Sequence, residues 1–196
     1  MMRALPILLV FWLLLAAPAE AASPLDYTRS TLEQARTIVA SSQANNEKLV
    51  ALSVLFGKFL DTDEMGRQAL GQHWQSLTPA QQTEFLALFH ELLERTYVQK
   101  LLLFENPDFV YVGEHRSGAD AIVDTKIVTS RDEFDIRYQL RPAGAAWMAT
   151  AITVEDVSLT ANLGSQLNDM LSRMSVDDVL GLMRRKYGVA SAAVES

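Results

Sequence analysis

Phe134-Asp135-Ile136-Arg137-Tyr138-Gln139-Leu140-Arg141 decides the fold class. Apolar and polar side chains alternate without a break, and a strand sends successive side chains to opposite faces. Phe134, Ile136, Tyr138 and Leu140 therefore share a face that needs covering, while Asp135, Arg137, Gln139 and Arg141 look into water. An antiparallel sheet tolerates one wet face; a parallel sheet does not.

The same period extends to both sides of this strand. Ala121, Val123, Thr125 and Ile127 alternate with Ile122, Asp124, Lys126 and Val128, and Phe109, Tyr111 and Gly113 alternate with Val110 and Val112. Ser117-Gly118, Ser130-Arg131-Asp132 and Pro142-Ala143-Gly144 supply turns. A fourth strand is expected from Trp147 to about Thr160. The prediction is an α+β fold with a four-stranded antiparallel sheet covered by helices on a single side.

Helices come before and after the strands. Leu25, Thr28, Leu32, Ala35 and Val39 recur at spacings of three and four, so they line one helical face. A second helix starts near Glu47 after the break at Asn45-Asn46. It carries Leu49, Leu52, Leu55, Phe56 and Phe59 and is apolar over more than half its circumference, so it must be covered on most sides or line an apolar cavity. Asp61 to Gly71 reads as a short capped helix, in which Asp61, Asp63 and Glu64 serve as anions at an N-terminus rather than as a metal site. Thr78-Pro79-Ala80-Gln81 is the sharpest helix start, with Thr78 as N-cap and Gln81 closing a capping box. That helix is expected to run to about Leu103. In the tail, one helix spans Leu163 to Met174, and another, capped by Ser175 with Asp178 three residues on, ends at Tyr187-Gly188.

At the N-terminus, Arg3 is followed by an apolar run from Ala4 to Ala17 and by Ala19-Glu20-Ala21. A bilayer-spanning helix needs about 20 apolar residues, and this run is shorter and ends in a small-x-small pattern. Residues 1-21 are expected to be a cleavable signal peptide cut before Ala22. Residues 22-188 are expected to form one domain, and 189-196 a disordered tail. The chain has no cysteine, so neither a disulfide nor a lipid-modified N-terminal cysteine can form. Its net charge of -7 at pH 7 and lack of basic blocks exclude ordinary nucleic-acid binding and recruitment by an anionic membrane surface.

Catalytic patterns are scarce. His73, His90 and His115 fall in a turn, a helix and a loop without metal-pair spacing. Gly66 to Gly71 lacks the Lys-Ser/Thr of a phosphate loop and follows no strand. What the sequence has instead is a surplus of large apolar side chains, which either fills an ordinary core or lines a cavity for an apolar ligand. Enclosing an acyl chain is worth about 0.8 kcal/mol per CH₂, so a sixteen-carbon tail represents about 12 kcal/mol. A soluble carrier has to enclose nearly all of it.

The run Leu60-Asp61-Thr62-x-x-Met65-Gly66-Arg67-x-Ala69-Leu70-Gly71-x-x-Trp74, followed by Leu77-Thr78-Pro79-Ala80-Gln81, Phe85, Phe89, Leu92-Leu93 and Tyr97, resembles the MlaC family, also called the toluene-tolerance auxiliary family. The likeness continues through Tyr138-x-Leu140, Trp147 and Val157-Ser158-Leu159. Where the family pattern has Tyr, Asp and Gly after the tryptophan, this chain has Thr150, Ala151 and Asp156.

The resemblance implies a curved sheet like that of the nuclear-transport-factor cone, packed with helices around a deep apolar pocket. It implies a non-enzymatic periplasmic lipid carrier serving outer-membrane lipid asymmetry, with bound phospholipid as cargo and no cofactor or metal. The implied partners are an inner-membrane ABC transporter complex with its substrate-capturing subunit and an outer-membrane lipoprotein complex. On this reading the acyl chains lie between Phe134, Ile136, Tyr138 and Trp147 of the sheet and Phe56, Phe59, Phe85, Phe89, Leu92 and Tyr97 of the helices. For each of these, plain core packing is an equal reading. Arg67 is expected in an ion pair with Asp63 or Glu64. Another cargo such as a hopanoid, a lipid-free periplasmic adaptor, and a cone-fold enzyme working through a buried Asp and Tyr are the alternatives. Against the last, Asp124 and Asp135 sit on the polar alternation.

Overall fold

The computed structural model describes residues 22–103 and 107–188; the expected signal peptide, its cleavage point and the tail 189–196 lie outside the described residues. Helices α1 (Pro24–Ala40), α2 (Asn45–Phe59), α3 (Thr62–Leu70) and α4 (Pro79–Leu93) come first. Each cap is local chemistry. Ser23 Oγ accepts the Asp26 N–H at 3.0 Å, Asp61 accepts the Glu64 N–H at 3.0 Å, and Thr78 and Gln81 close their reciprocal box at 3.3 and 2.9 Å. The helix begun at Pro79 continues through a π-helical turn, Glu94–Val98, into a last turn, α5 (Gln99–Leu101).

The sheet comprises β1 (Asp108–Ser117), β2 (Asp120–Val128), β3 (Glu133–Ala143), β4 (Ala146–Val154) and β5 (Val157–Ser158), antiparallel in the order β1-β2-β3-β4-β5. The chain returns as α6 (Leu159–Leu171) and α7 (Val176–Tyr187), the latter capped by Ser175 and Asp178 as expected. The α+β class and the single covered face are as the alternation predicts.

Three expectations are corrected. The fourth strand does not run to Thr160: Glu155 and Asp156 both take positive φ, 48° and 61°, and turn the chain into the short β5. That geometry matches the two-residue turn of a tight hairpin, so the sheet has five strands and α6 starts at Leu159. His115 lies within β1 rather than in a loop. Finally, β1 and β4 each carry a bulge, which changes the facing of every residue beyond it.

The core is divided. One cluster lies among α3, α4, α6 and α7, with Met65, Phe85, Phe89, Leu163 and Leu180 at its centre. Gly164 makes its α3–α6 contact close, because a Cβ there would stand 2.9 Å from the Ala69 carbonyl oxygen. A second cluster joins the inner sheet face to α1 and to Phe59 of α2. A third holds α1, α2 and the end of the long helix together through Ala35, Leu52 and Val98. Among the described residues no helix is long and apolar enough to cross a membrane.

Candidate functional site

Beside Phe56, which packs against both the second and the third cluster, a cavity of about 520 Å³ remains. Its floor is the inner sheet face, where Phe134, Ile136 and Tyr138 of β3 lie beside Ile127 of β2 and Phe109 of β1. The bulge in β4 completes this floor. Leu140 faces Ala149 and Gln139 faces Ala151, leaving Thr150 as the extra residue. Ile152 and Val154 thereby come opposite Tyr138 and Ile136 and turn inward. Unbroken alternation from Trp147 and Ala149 would have presented Ala151 and Thr153 instead.

The bulge in β1 acts the same way. Tyr111 pairs with Thr125 but Gly113 with Asp124, so Glu114 rather than Gly113 takes the inner position. Its carboxylate accepts the Leu25 N–H at 2.9 Å and ties α1 to the sheet.

The roof comes from α1 through Leu32, Ala35 and Val39, and from α2 through Phe56 and the following Leu60. The long helix contributes only from its π turn onward, with Tyr97, Val98, Lys100 and Leu101. Single π turns recur at functional sites.

Of the ten residues expected at the site, the structure brings Phe56, Tyr97, Phe134, Ile136 and Tyr138 together on the cavity wall. The other five pack elsewhere. Phe59, 1 % exposed, lies beneath the wall with its ring centroid 5.6 Å from that of Tyr138. Phe85 and Phe89 stack at 5.6 Å inside the helical cluster, and Leu92 packs against that same cluster. Trp147 is drawn to the other end of the sheet, where its Nε1 donates to the Ala22 carbonyl at 2.9 Å and Arg116 covers its face. The lining residues missed include Leu32, Ala35, Val39, Leu60 and the inward pair Ile152 and Val154. Parity along α1 marks the first three; nothing local marks the bulge.

The lining is nearly uncharged. Among the described residues around the cavity there is no carboxylate, histidine, serine or threonine, and the charged groups are Arg36 and Lys100. Arg36 is held by Glu33 at 2.8 Å and Asp108 at 3.3 Å. The Tyr111 hydroxyl donates to Glu33 at 3.0 Å, and burial followed by that carboxylate pushes its ionisation well above the usual phenol range. Burial does the same to Tyr138, so its hydroxyl stays neutral in the cavity wall. Such a lining can dehydrate and pack an apolar ligand without covalent chemistry.

The acids expected on the polar face are there. Asp124 meets Arg137 at 2.7 Å and Asp135 meets Lys126 at 3.3 Å, both outside the sheet. The N-terminal carboxylates of α3 are capping and pairing groups: Asp61 caps the helix and pairs with Arg141, and Glu64 pairs with Arg67 at 3.2 Å. A hydrogen bond from Gln68 above all, aided by Arg67, holds the Glu64 carboxyl below its ordinary value. Among the described residues no three His, Cys, Asp or Glu side chains gather closely enough to hold a metal ion.

The family model described as MlaC protein matches residues 27–185. Among solved structures, the chain is similar to a phospholipid-binding protein from Ralstonia solanacearum, determined in complex with a phospholipid. The two are 19% identical and superpose with a TM-score of 0.74, over 85% of this chain and 97% of that one.

Proposed function

This chain belongs to the MlaC family, and on that footing we propose that it is a periplasmic carrier holding a phospholipid by its acyl chains. The observation that carries the reading is the cavity of about 520 Å³ between sheet and helices, walled by apolar side chains. Its size falls within the range of single-ligand sites, about 300–1,000 Å³, so each chain takes up one lipid. The phospholipid complex of the similarly folded Ralstonia protein supports the same cargo class.

The carrier is exported by the signal peptide at residues 1–21 and passes lipid between an outer-membrane lipoprotein complex and an inner-membrane ABC transporter. Passive carriage suits the lining, which offers dispersion contacts and dehydration. Mass spectrometry of an organic extract from the protein purified in its native state tests the proposal. One phospholipid per chain is the expected result. A lipid-free protein that also fails to take up labelled phospholipid would overturn it.

A further inference from the structure

Among the described residues, the charged groups of the cavity wall are Arg36 of α1 and Lys100 of α5; both are cations, and their surroundings differ. Arg36 sits between Glu33 and Asp108, at 2.8 and 3.3 Å, which offset its charge and fix its position. Lys100 is exposed on the last helical turn, and among the described residues no carboxylate pairs with its ammonium. The chain as a whole carries a net charge of -7. A cation that no described carboxylate offsets, beside an apolar cavity, therefore runs against the trend of the surface. It also complements one kind of molecule: an amphiphile whose anionic group stands at the end of its apolar part.

We propose that Lys100 is the headgroup site of this cavity, its ammonium seating the phosphate of the bound lipid, with Arg36 as a second donor held in place by Glu33 and Asp108. The inference rests on the lipid-carrier reading above and adds the charge class of the ligand. Lys100 selects for lipids with an anion directly beside the chains and against neutral lipids with the same chains. A headgroup outside the cavity mouth keeps its water on one side. The expected contribution is accordingly that of a partly exposed charge-assisted contact rather than of a buried pair.

A phosphodiester and a fatty-acid carboxylate present similar chemistry to an ammonium, and the test separates them. Delipidated wild type, K100A and K100E are titrated with phosphatidylglycerol, diacylglycerol and a free fatty acid, all bearing one identical fluorescent chain. Wild type is expected to bind phosphatidylglycerol about two- to fivefold more tightly than diacylglycerol, with the preference shrinking as salt rises. K100A reduces that preference and K100E abolishes it, each read as the ratio of the phosphatidylglycerol to the diacylglycerol affinity within the same variant. Thermal melts confirm that the variants are folded, and R36Q, which removes the positive charge and leaves a shorter polar amide, provides a second reduction in the same ratio. Equal binding of phosphatidylglycerol and diacylglycerol by wild type, or an unchanged preference in K100E, overturns the inference and leaves the carrier reading intact. A Lys100-dependent preference confined to the fatty acid overturns the phosphate assignment. Binding of none of the three lipids by wild type overturns the carrier reading itself.

Discussion

Asp61, at the N-terminus of α3, forms an ion pair with Arg141 of β3, joining the helical cluster to the sheet. The carboxylate is 5% exposed and also caps α3 by accepting the Glu64 N–H. Beside it the Asp61 N–H donates to the Ala149 carbonyl at 2.9 Å, which fixes the segment between α2 and α3 against β4. Leu60, the neighbouring cavity residue, is thereby positioned by a polar junction rather than by packing alone.

Removing that junction costs stability. D61A is expected to lose about 2 kcal/mol, the sum of a lost N-cap and a lost partner for a half-exposed arginine. D61N keeps a capping oxygen and is expected to lose less. Urea unfolding of both variants checks the order, and equal stability of D61A and wild type would refute it.

Stability and lipid capture are predicted to separate along the division of the core. F85A removes a ring 1 % exposed within the helical cluster, and is expected to cost about 3–5 kcal/mol while the folded protein still takes up lipid. I152W places bulk in the cavity; it is expected to change stability by no more than about 1 kcal/mol and to reduce lipid uptake at least tenfold. Labelled-phospholipid uptake measured beside denaturant curves distinguishes the two. Loss of uptake in folded F85A, or full uptake in I152W, would contradict the assignment of the cavity wall.

Alkaline pH is expected to destabilise the fold through its tyrosines. Tyr111 and Tyr138 ionise at a higher pH in the folded chain than in the unfolded one. Their stabilising contribution is complete below the unfolded phenol value of about 10 and falls as pH rises above it, because only the unfolded chain then releases the protons. Y138F removes one of these groups and is expected to flatten the decline, as read from melting temperatures between about pH 9 and 11. An unchanged slope in Y138F would show that Tyr138 takes no part.

The sequence makes local chemistry legible. Thr78-Pro79-Ala80-Gln81 and Ser175 with Asp178 announce their helices because a cap involves only residues three apart. Phe134 to Arg141 announces the sheet because its period is two and one face is wet. Bulges leave no such mark: the extra residues at Val112 and Thr150 lie in ordinary strand sequence, so the facing of Glu114, Ile152 and Val154 emerges only from pairing with the next strand. The turn at Glu155-Asp156 was hidden because most side chains avoid positive φ, so an unbroken strand was the natural reading. Asp156 stands where the family pattern has glycine, and that glycine is the missing signal. Glu155 is held there by exchange with Asp135, donating its N–H at 3.0 Å and accepting at 2.5 Å.

Five of the ten residues expected at the site line the cavity, and the limit has a similar cause. Apolarity identifies side chains that avoid water without telling a wall from a filled core. Phe85 and Phe89 look like Phe56 in sequence, yet they precede the π turn and face α3 and α7, whereas Tyr97 lies within that turn and faces the cavity. The surplus of apolar residues is compatible with an ordinary core or a cavity, and the choice and its location depend on how three clusters divide the interior.

The location of the acyl chain is the most direct test of lipid carriage in this cavity. The measurement is photo-crosslinking with a phospholipid carrying a diazirine in mid-chain, followed by peptide mapping. Crosslinks are expected at the cavity wall, at Phe56, Tyr97, Ile136, Tyr138 and Ile152, all lost on competition with unlabelled lipid. Crosslinks concentrated at Phe85 and Phe89, or none above those of a denatured control, would contradict carriage in this cavity.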